Sequence, residues 1–84
     1  MLNELKQSEK IVGLKQSLRL IESGNAKKAF LAKDCSSHIF DEVEHFCKKY
    51  KVPVEYAETT TELGRACGID VGAAVAVLKK VNDA

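Results

Sequence analysis

An 84-residue chain that is 45% hydrophobic and 30% charged has room for one small core and the composition of a soluble globular domain. Its net charge of +1 singles out no class of partner, and it holds no run of about 18 apolar residues to span a membrane. The opening MLNELKQSEK lacks the apolar segment of a secretory signal, so a cytoplasmic protein with a single domain, residues 1–84, is expected.

In chain order, Leu2 to Glu9 reads as a first helix and Lys10 to Val12 as a brief strand. Gly13 breaks that strand. Leu14, Leu18 and Ile21 then recur at helical spacing, with Lys15, Gln16, Arg19 and Glu22 off the apolar stripe. Ser23-Gly24-Asn25 supplies a stop, so a second helix is expected over 14–23. Ala29 to Ala32 is a short apolar run bounded by charges, which predicts a buried central strand. Ser36 or Ser37 can cap the next helix. Its core stripe is Ile39, Val43, Phe46, Cys47 and Tyr50, with Asp41 and Glu42 assigned to its first turn and Lys48 and Lys49 to its last.

Pro53 ends that segment and Val54 to Tyr56 reads as a strand. Thr59 and Glu62 have capping-box spacing, so a short helix should run from about Thr60 to Cys67. Gly68 then fits the position past the cap, where a positive φ is needed. Val71 to Leu78 is expected as the last strand. The order α-β-α-β-α-β-α-β predicts an α/β fold, a three-layer α-β-α sandwich around a four-stranded mixed sheet.

Few residue patterns suggest chemistry. Cys35, Cys47 and Cys67 form an odd, widely spaced set with no CxxC pair, which argues against disulfides and against zinc. No metal and no cofactor are expected. Cys35 and His38 lie near a helix N-terminus, where a thiol can be activated, but no third group completes a triad. Gly64, Gly68 and Gly72 recur every four residues. They follow a helix and precede a strand, the wrong context for a dinucleotide loop. Asp41, Glu42 and Glu44 read as a solvated face.

The second helix offers more. Lys15 and Arg19 are four apart and share a face, with Gln16 beside them. Cations suit the O6 and N7 acceptors of guanine, and an amide can bridge donor and acceptor positions on a base. Residues 1–33 hold seven bases against three acids, while 34–84 hold six bases against nine acids. That asymmetry hints at a basic face in the first part of the chain.

The segments Gly13-Leu-Lys-Gln-Ser-Leu-Arg-Leu-Ile-Glu-Ser-Gly24, Ala32-Lys-Asp34 and Glu62-Leu-Gly-Arg-Ala-Cys-Gly-Ile-Asp-Val-Gly-Ala73 resemble the ribosomal protein L7Ae/L30e family. The likeness is strongest to its short bacterial L7Ae-like members. It implies the sandwich fold above and a non-enzymatic RNA-binding protein. The family's target is the kink-turn, an RNA helix bent at a bulge beside tandem sheared G·A pairs.

The resemblance also implies a site. Archaeal and eukaryotic members begin this helix G-x-N-E-x-x-K. Gly13 matches the glycine, while Lys15, Gln16 and Arg19 stand for the Asn, Glu and Lys. The family's apolar loop falls on Ile69, Asp70 and Val71, with Val71 where some members carry Arg. Ser36 stands where some members place an acid near a flipped base, and Phe40 follows it on the helix. Lys33 and Arg65 are the implied phosphate contacts. The expected partner is a kink-turn RNA, in ribosomal RNA or a riboswitch, bound by a monomer. Two other readings stand beside this one: a protein-interaction module using the Gly68–Gly72 loop, and a thiol enzyme built on Cys35 and His38.

Overall fold

The computed structural model describes residues 9–80. The expected helix over Leu2–Glu9 lies outside them, apart from Glu9, which is irregular. The described elements are β1 (Lys10–Val12), α1 (Leu14–Glu22), β2 (Ala26–Ala32), α2 (Ser37–Lys49), β3 (Val54–Ala57), α3 (Thr60–Ala66) and β4 (Val75–Lys79). They build an α/β sandwich on a four-stranded mixed sheet in the order β1-β4-β2-β3. β2 and β3 are parallel, and β4 is antiparallel to both β1 and β2. None of the described helices is long and apolar enough to cross a membrane.

Side-chain alternation along the central strands divides the core. Ala29, Leu31, Val75 and Val77 face one side and pack with Ile21 of α1 and Val43 and Cys47 of α2. Phe30, Ala32, Ala76 and Leu78 face the other and pack with Leu63 and Ala66 of α3. Period-two alternation with apolar residues on both faces is what a doubly covered strand requires. The stripe read on α2 divides in the same way: Val43 and Cys47 are buried, and Ile39, Phe46 and Tyr50 are half-buried beside them.

Several boundaries and placements differ from expectation. β2 begins at Ala26, because Lys28 keeps the ladder while its ammonium reaches Glu55 on β3 at 2.7 Å. β4 begins at Val75, so Val71 to Ala74 is loop. The expected strand start failed because Val71, though β-branched, has no ladder partner and stands in solvent. Asp41 and Glu42 lie in the second turn of α2, since that helix begins at Ser37. The dipole acts mainly on the terminal turn, so these acids gain little from it. The short helix α3 closes at Ala66, with Cys67 as its cap.

One polar side chain sits in this core without a partner. Ser17 on α1 is fully buried and its Oγ makes no hydrogen bond among the described residues. A buried hydroxyl left unpaired costs about 1–3 kcal/mol. Ser17→Ala is therefore expected to leave stability unchanged or raise it by about 1 kcal/mol. Urea denaturation checks this, and a clear loss would reveal a partner for the hydroxyl.

Candidate nucleic-acid interface

The sheet topology gathers the sequence-predicted residues at one edge. β1, β2 and β3 all end there and β4 begins there, so Val12, Ala32, Ala57 and Val75 lie along it. Backbone bonds tie the departing chains together. Gly13 N–H donates to Val75 C=O (3.2 Å), Ala32 N–H to Ala74 C=O (2.9 Å) and Lys33 N–H to Ala57 C=O (2.8 Å). The Asp34 carboxylate accepts from Thr60 N–H (2.7 Å), which fastens the β2–α2 turn to the first turn of α3. All three described helices start at this edge, so their N–H-rich ends share it.

The loop between α3 and β4 is held along the length of that helix. Gly68, at φ +79°, ends α3 with paired bonds: Gly68 N–H to Arg65 C=O (3.0 Å) and Ile69 N–H to Gly64 C=O (3.1 Å). This is the left-handed helix stop that favours glycine. At the far end of the loop Ala73 N–H donates to Thr60 C=O (3.0 Å). Between those ties the Val71 carbonyl oxygen lies directly over Gly64, and a Cβ at that position would overlap it. Gly72 likewise lies against Thr60, where a Cβ would stand 3.1 Å from Oγ1.

The two apolar side chains of the loop therefore have different fates. Ile69 is half-buried and packs against the α3-side core, anchoring the loop. Val71 is 70% exposed. Asp70 is exposed, and with Thr61, Arg65 and the loop it lines a cavity of about 230 Å³.

On the other side of the sheet, Gly13 opens α1 at φ +113° and gives it no side-chain cap. Lys15, Gln16 and Arg19 are exposed along α1. Among the described residues Lys15, Arg19 and Arg65 have no ion-pair partner. Gln16 and Arg19 line a shallow cleft of about 310 Å³ with Ile11, Leu20, Ser23 and Lys79. The hydrogen bond from Gly13 to Val75 sets the start of α1 directly beside the end of the loop.

The remaining predicted residues are engaged within the fold. Lys33 pairs with Glu58 at 3.0 Å, and both side chains are largely exposed. Such a pair is worth little and is readily exchanged for a phosphate. The Ser36 hydroxyl caps α2 by accepting from Ile39 N–H (3.4 Å). Phe40 is half-buried and stacked on Tyr56 of β3 at 5.8 Å between centroids. The Tyr56 hydroxyl in turn donates to the Glu44 carboxylate. Phe40 is thus held against β3, the edge strand on the far side of β2 from β4. Gly64 and Asp34 are the positioning residues that sequence reasoning missed. The four-residue recurrence of glycines was the available signal for Gly64.

The thiols carry no sign of activation. Burial, reinforced by the neighbouring Asp34 charge, pushes the Cys35 thiol up. Burial pushes Cys47 up to about 11 and raises Cys67 as well. A raised pKa means less thiolate at every pH below it, the opposite of a nucleophile poised at neutrality. Among the described residues no group of three His, Cys, Asp or Glu side chains could hold a metal ion.

Two expectations follow. Gly64→Ala should dislodge the Val71 carbonyl and destabilise the fold by about 1–3 kcal/mol, as overpacking does; thermal melting measures it. Iodoacetamide at pH 7 should modify Cys35 more slowly than it does free cysteine, and Cys47 and Cys67 only upon unfolding. Mass spectrometry of the native and urea-unfolded chain reads this directly.

Comparison with known proteins bears on the identity of this fold. Residues 2–84 match the model of the ribosomal protein L7Ae/L30e/S12e/Gadd45 family. An RNA-binding protein of Caldanaerobacter subterraneus subsp. tengcongensis is 37% identical over 68 residues, covering 81% of this chain and 83% of its own. The RNA-binding protein YbxF of Geobacillus stearothermophilus is 36% identical over 70 residues, covering 82% and 85%. Among solved structures, the 15.5kD RNA binding protein of Giardia lamblia superposes with a TM-score of 0.86 at 26% identity. That match covers 96% of this chain and 72% of the Giardia chain. The chain described here belongs to the ribosomal protein L7Ae/L30e/S12e/Gadd45 family.

Proposed function

We propose that this chain is an RNA-binding protein whose interface is the sheet edge where α1 begins and the Ile69–Ala74 loop ends, and that it recognises kink-turns. The observation that carries the reading is the juxtaposition there. An apolar side chain, Val71, is 70% exposed on a loop that is bonded at both ends and so cannot simply fold it away. Beside it lies a helix whose cations have no ion-pair partner among the described residues. Apolar contact and cationic donors side by side suit an unstacked base flanked by phosphates. The relatives named as RNA-binding proteins support the same partner.

In this mechanism α1 faces the sheared G·A pairs. Lys15 and Arg19 donate to guanine acceptors, and the Gln16 amide meets a base edge. Val71 covers the bulged nucleotide, and Ile69 holds the loop in place for it. Arg65 and Lys33 take phosphates, Lys33 by exchanging its contact with Glu58. Asp34 and the Ser36 hydroxyl act indirectly, by fixing the turns around the site. An RNA that samples straight and bent forms is shifted toward the bent one because only that form meets both surfaces at once. The protein performs no covalent chemistry in this reading, and its target lies in a structured RNA such as ribosomal RNA or a riboswitch.

The exposed loop would also suit a protein partner, but the cations of α1, without an ion-pair partner among the described residues, favour RNA. Salt separates the two, since phosphate contacts release counterions and apolar docking does not. Arg19→Ala is expected to weaken binding of a kink-turn RNA by about 1–3 kcal/mol. A band-shift beside the same RNA with its G·A pairs replaced checks both points. Equal binding to the two RNAs would overturn kink-turn recognition.

A further inference from the structure

All three described helices stop with the same backbone turn, but they do not use the same residue for it. Past the caps of α1 and α3 stand Gly24 at φ +83° and Gly68 at φ +79°. Past the cap of α2 stands Lys51 at φ +58°, the one non-glycine residue with positive φ among those described. The closing bond is equivalent, from Val52 N–H to Cys47 C=O at 2.8 Å. A Cβ crowds the carbonyl oxygen in this conformation, which is why glycine prevails there. The Lys51 side chain is exposed and has no ion-pair partner among the described residues, so only the closing bond and the packing of half-buried Val52 hold this conformation. A lysine where glycine would be less crowded sets a charge at this point of the surface.

Lys51 is part of a basic pole at the end of the molecule opposite the proposed interface. β2 and β3 begin at that end and β4 finishes there. Lys27 stands at the start of β2, and Lys80 follows β4 with its N–H on Asn25 C=O (2.8 Å). The bond from Ala29 N–H to Pro53 C=O (2.9 Å) brings the end of α2, with Lys48, Lys49 and Lys51, alongside. All five lysines are exposed, and none is ion-paired among the described residues. The acids at this end among the described residues are Glu22, Glu9, which Lys79 matches at 3.7 Å, and Glu55, which Lys28 matches at 2.7 Å, with Glu44 lining a cavity beside Lys48. Half-buried Tyr50 lies among the lysines, with the Lys49 ammonium 5.5 Å from its ring centre.

Helix dipoles account for Lys48 and Lys49 in the last turn of α2. They do not account for Lys27 and Lys80, which flank strands, or for the conformation of Lys51. The row crosses from β4 over β2 to β3, two strand spacings, or about 10 Å. Beside it a cavity of about 360 Å³ is lined by Lys48, Val52 and Val54 with Glu44, Cys47 and Tyr56, while the five lysine side chains themselves stand in solvent. A surface of spaced ammonium groups on flexible stems matches a phosphate backbone irrespective of sequence.

We infer that this pole is a second RNA-contacting surface, which holds the backbone of a duplex segment so that the protein bridges two parts of a folded RNA. The choice of RNA as the polyanion rests on the proposed function above. The geometry leaves both surfaces usable at once, because they sit at opposite ends of the same strands.

The test uses the full chain, an unkinked RNA duplex of about 16 base pairs, the span of a duplex-binding domain, and a short-stemmed kink-turn RNA. Wild type should bind the duplex with a Kd on the order of 10⁻⁴ to 10⁻⁶ M at physiological salt. The K48Q/K49Q/K51Q variant should bind roughly tenfold or more weakly, with a salt slope shallower by about 0.9 for each phosphate no longer neutralised. One equivalent of kink-turn RNA should leave duplex binding intact and give a ternary complex. Lys51→Gly should melt at higher temperature yet bind the duplex more weakly. Circular dichroism confirms that each variant is folded. The inference is overturned by no duplex binding at low salt, by equal binding in wild type and the triple variant, or by displacement of the duplex by one equivalent of kink-turn RNA. If the kink-turn RNA fails to bind while the duplex behaves as expected, kink-turn recognition falls and the second surface stands.

Discussion

Gly64 has no side chain, and the course of the chain from α3 to β4 depends on that. The Val71 carbonyl occupies the space a Cβ would need, so the loop can lie flat on the helix. This close approach delivers the chain to the middle of the sheet, where β4 separates β1 from β2. From there β4 pairs on both sides, and Val75 accepts the hydrogen bond of Gly13 that locates α1. One missing methyl group thus connects the packing of α3, the pairing of the central strand and the position of the helix on the opposite face.

Rigidity at the edge has a purpose in the proposed mechanism. A loose surface loop can hide an exposed apolar residue by collapsing onto it. Here Ile69 takes the buried role and the backbone is fastened at Gly64 and Thr60, so Val71 remains presented. Asp34 adds a second brace by bonding to Thr60 N–H, and that same turn carries Lys33. In that mechanism the proposed surface is largely formed before any partner arrives, which limits the entropy lost on association.

The charges are arranged differently in space from their order along the chain. The first part of the sequence is the more basic, which suggests one basic face there. Folding instead brings Lys27 from β2 together with Lys48 and Lys49 from α2, Lys51 past its cap and Lys80 after β4. The edge with the helix N-termini keeps Asp34 next to Lys33 in sequence and Glu58 paired with Lys33. Parallel β2 and β3 with antiparallel β4 enforce this sorting, because the ends of distant segments meet at one side of the sheet.

The sequence by itself determined much of the fold through short-range physics. Helical spacing of Leu14, Leu18 and Ile21, the Thr59–Glu62 cap and the positive φ at Gly68 act within one or two turns, and each is seen in the structure. The resemblance located the candidate helix and loop, whose roles stay proposals. What only the tertiary structure decided involves contacts between segments far apart in sequence. It split Ile69 from Val71, turned residues 71–74 from strand to loop, and held Phe40 against Tyr56. It also explained Gly64 and assembled the lysine pole. Periodicity reports what a residue's own element does with it. Burial, pairing and charge sums depend on which other element the fold places alongside.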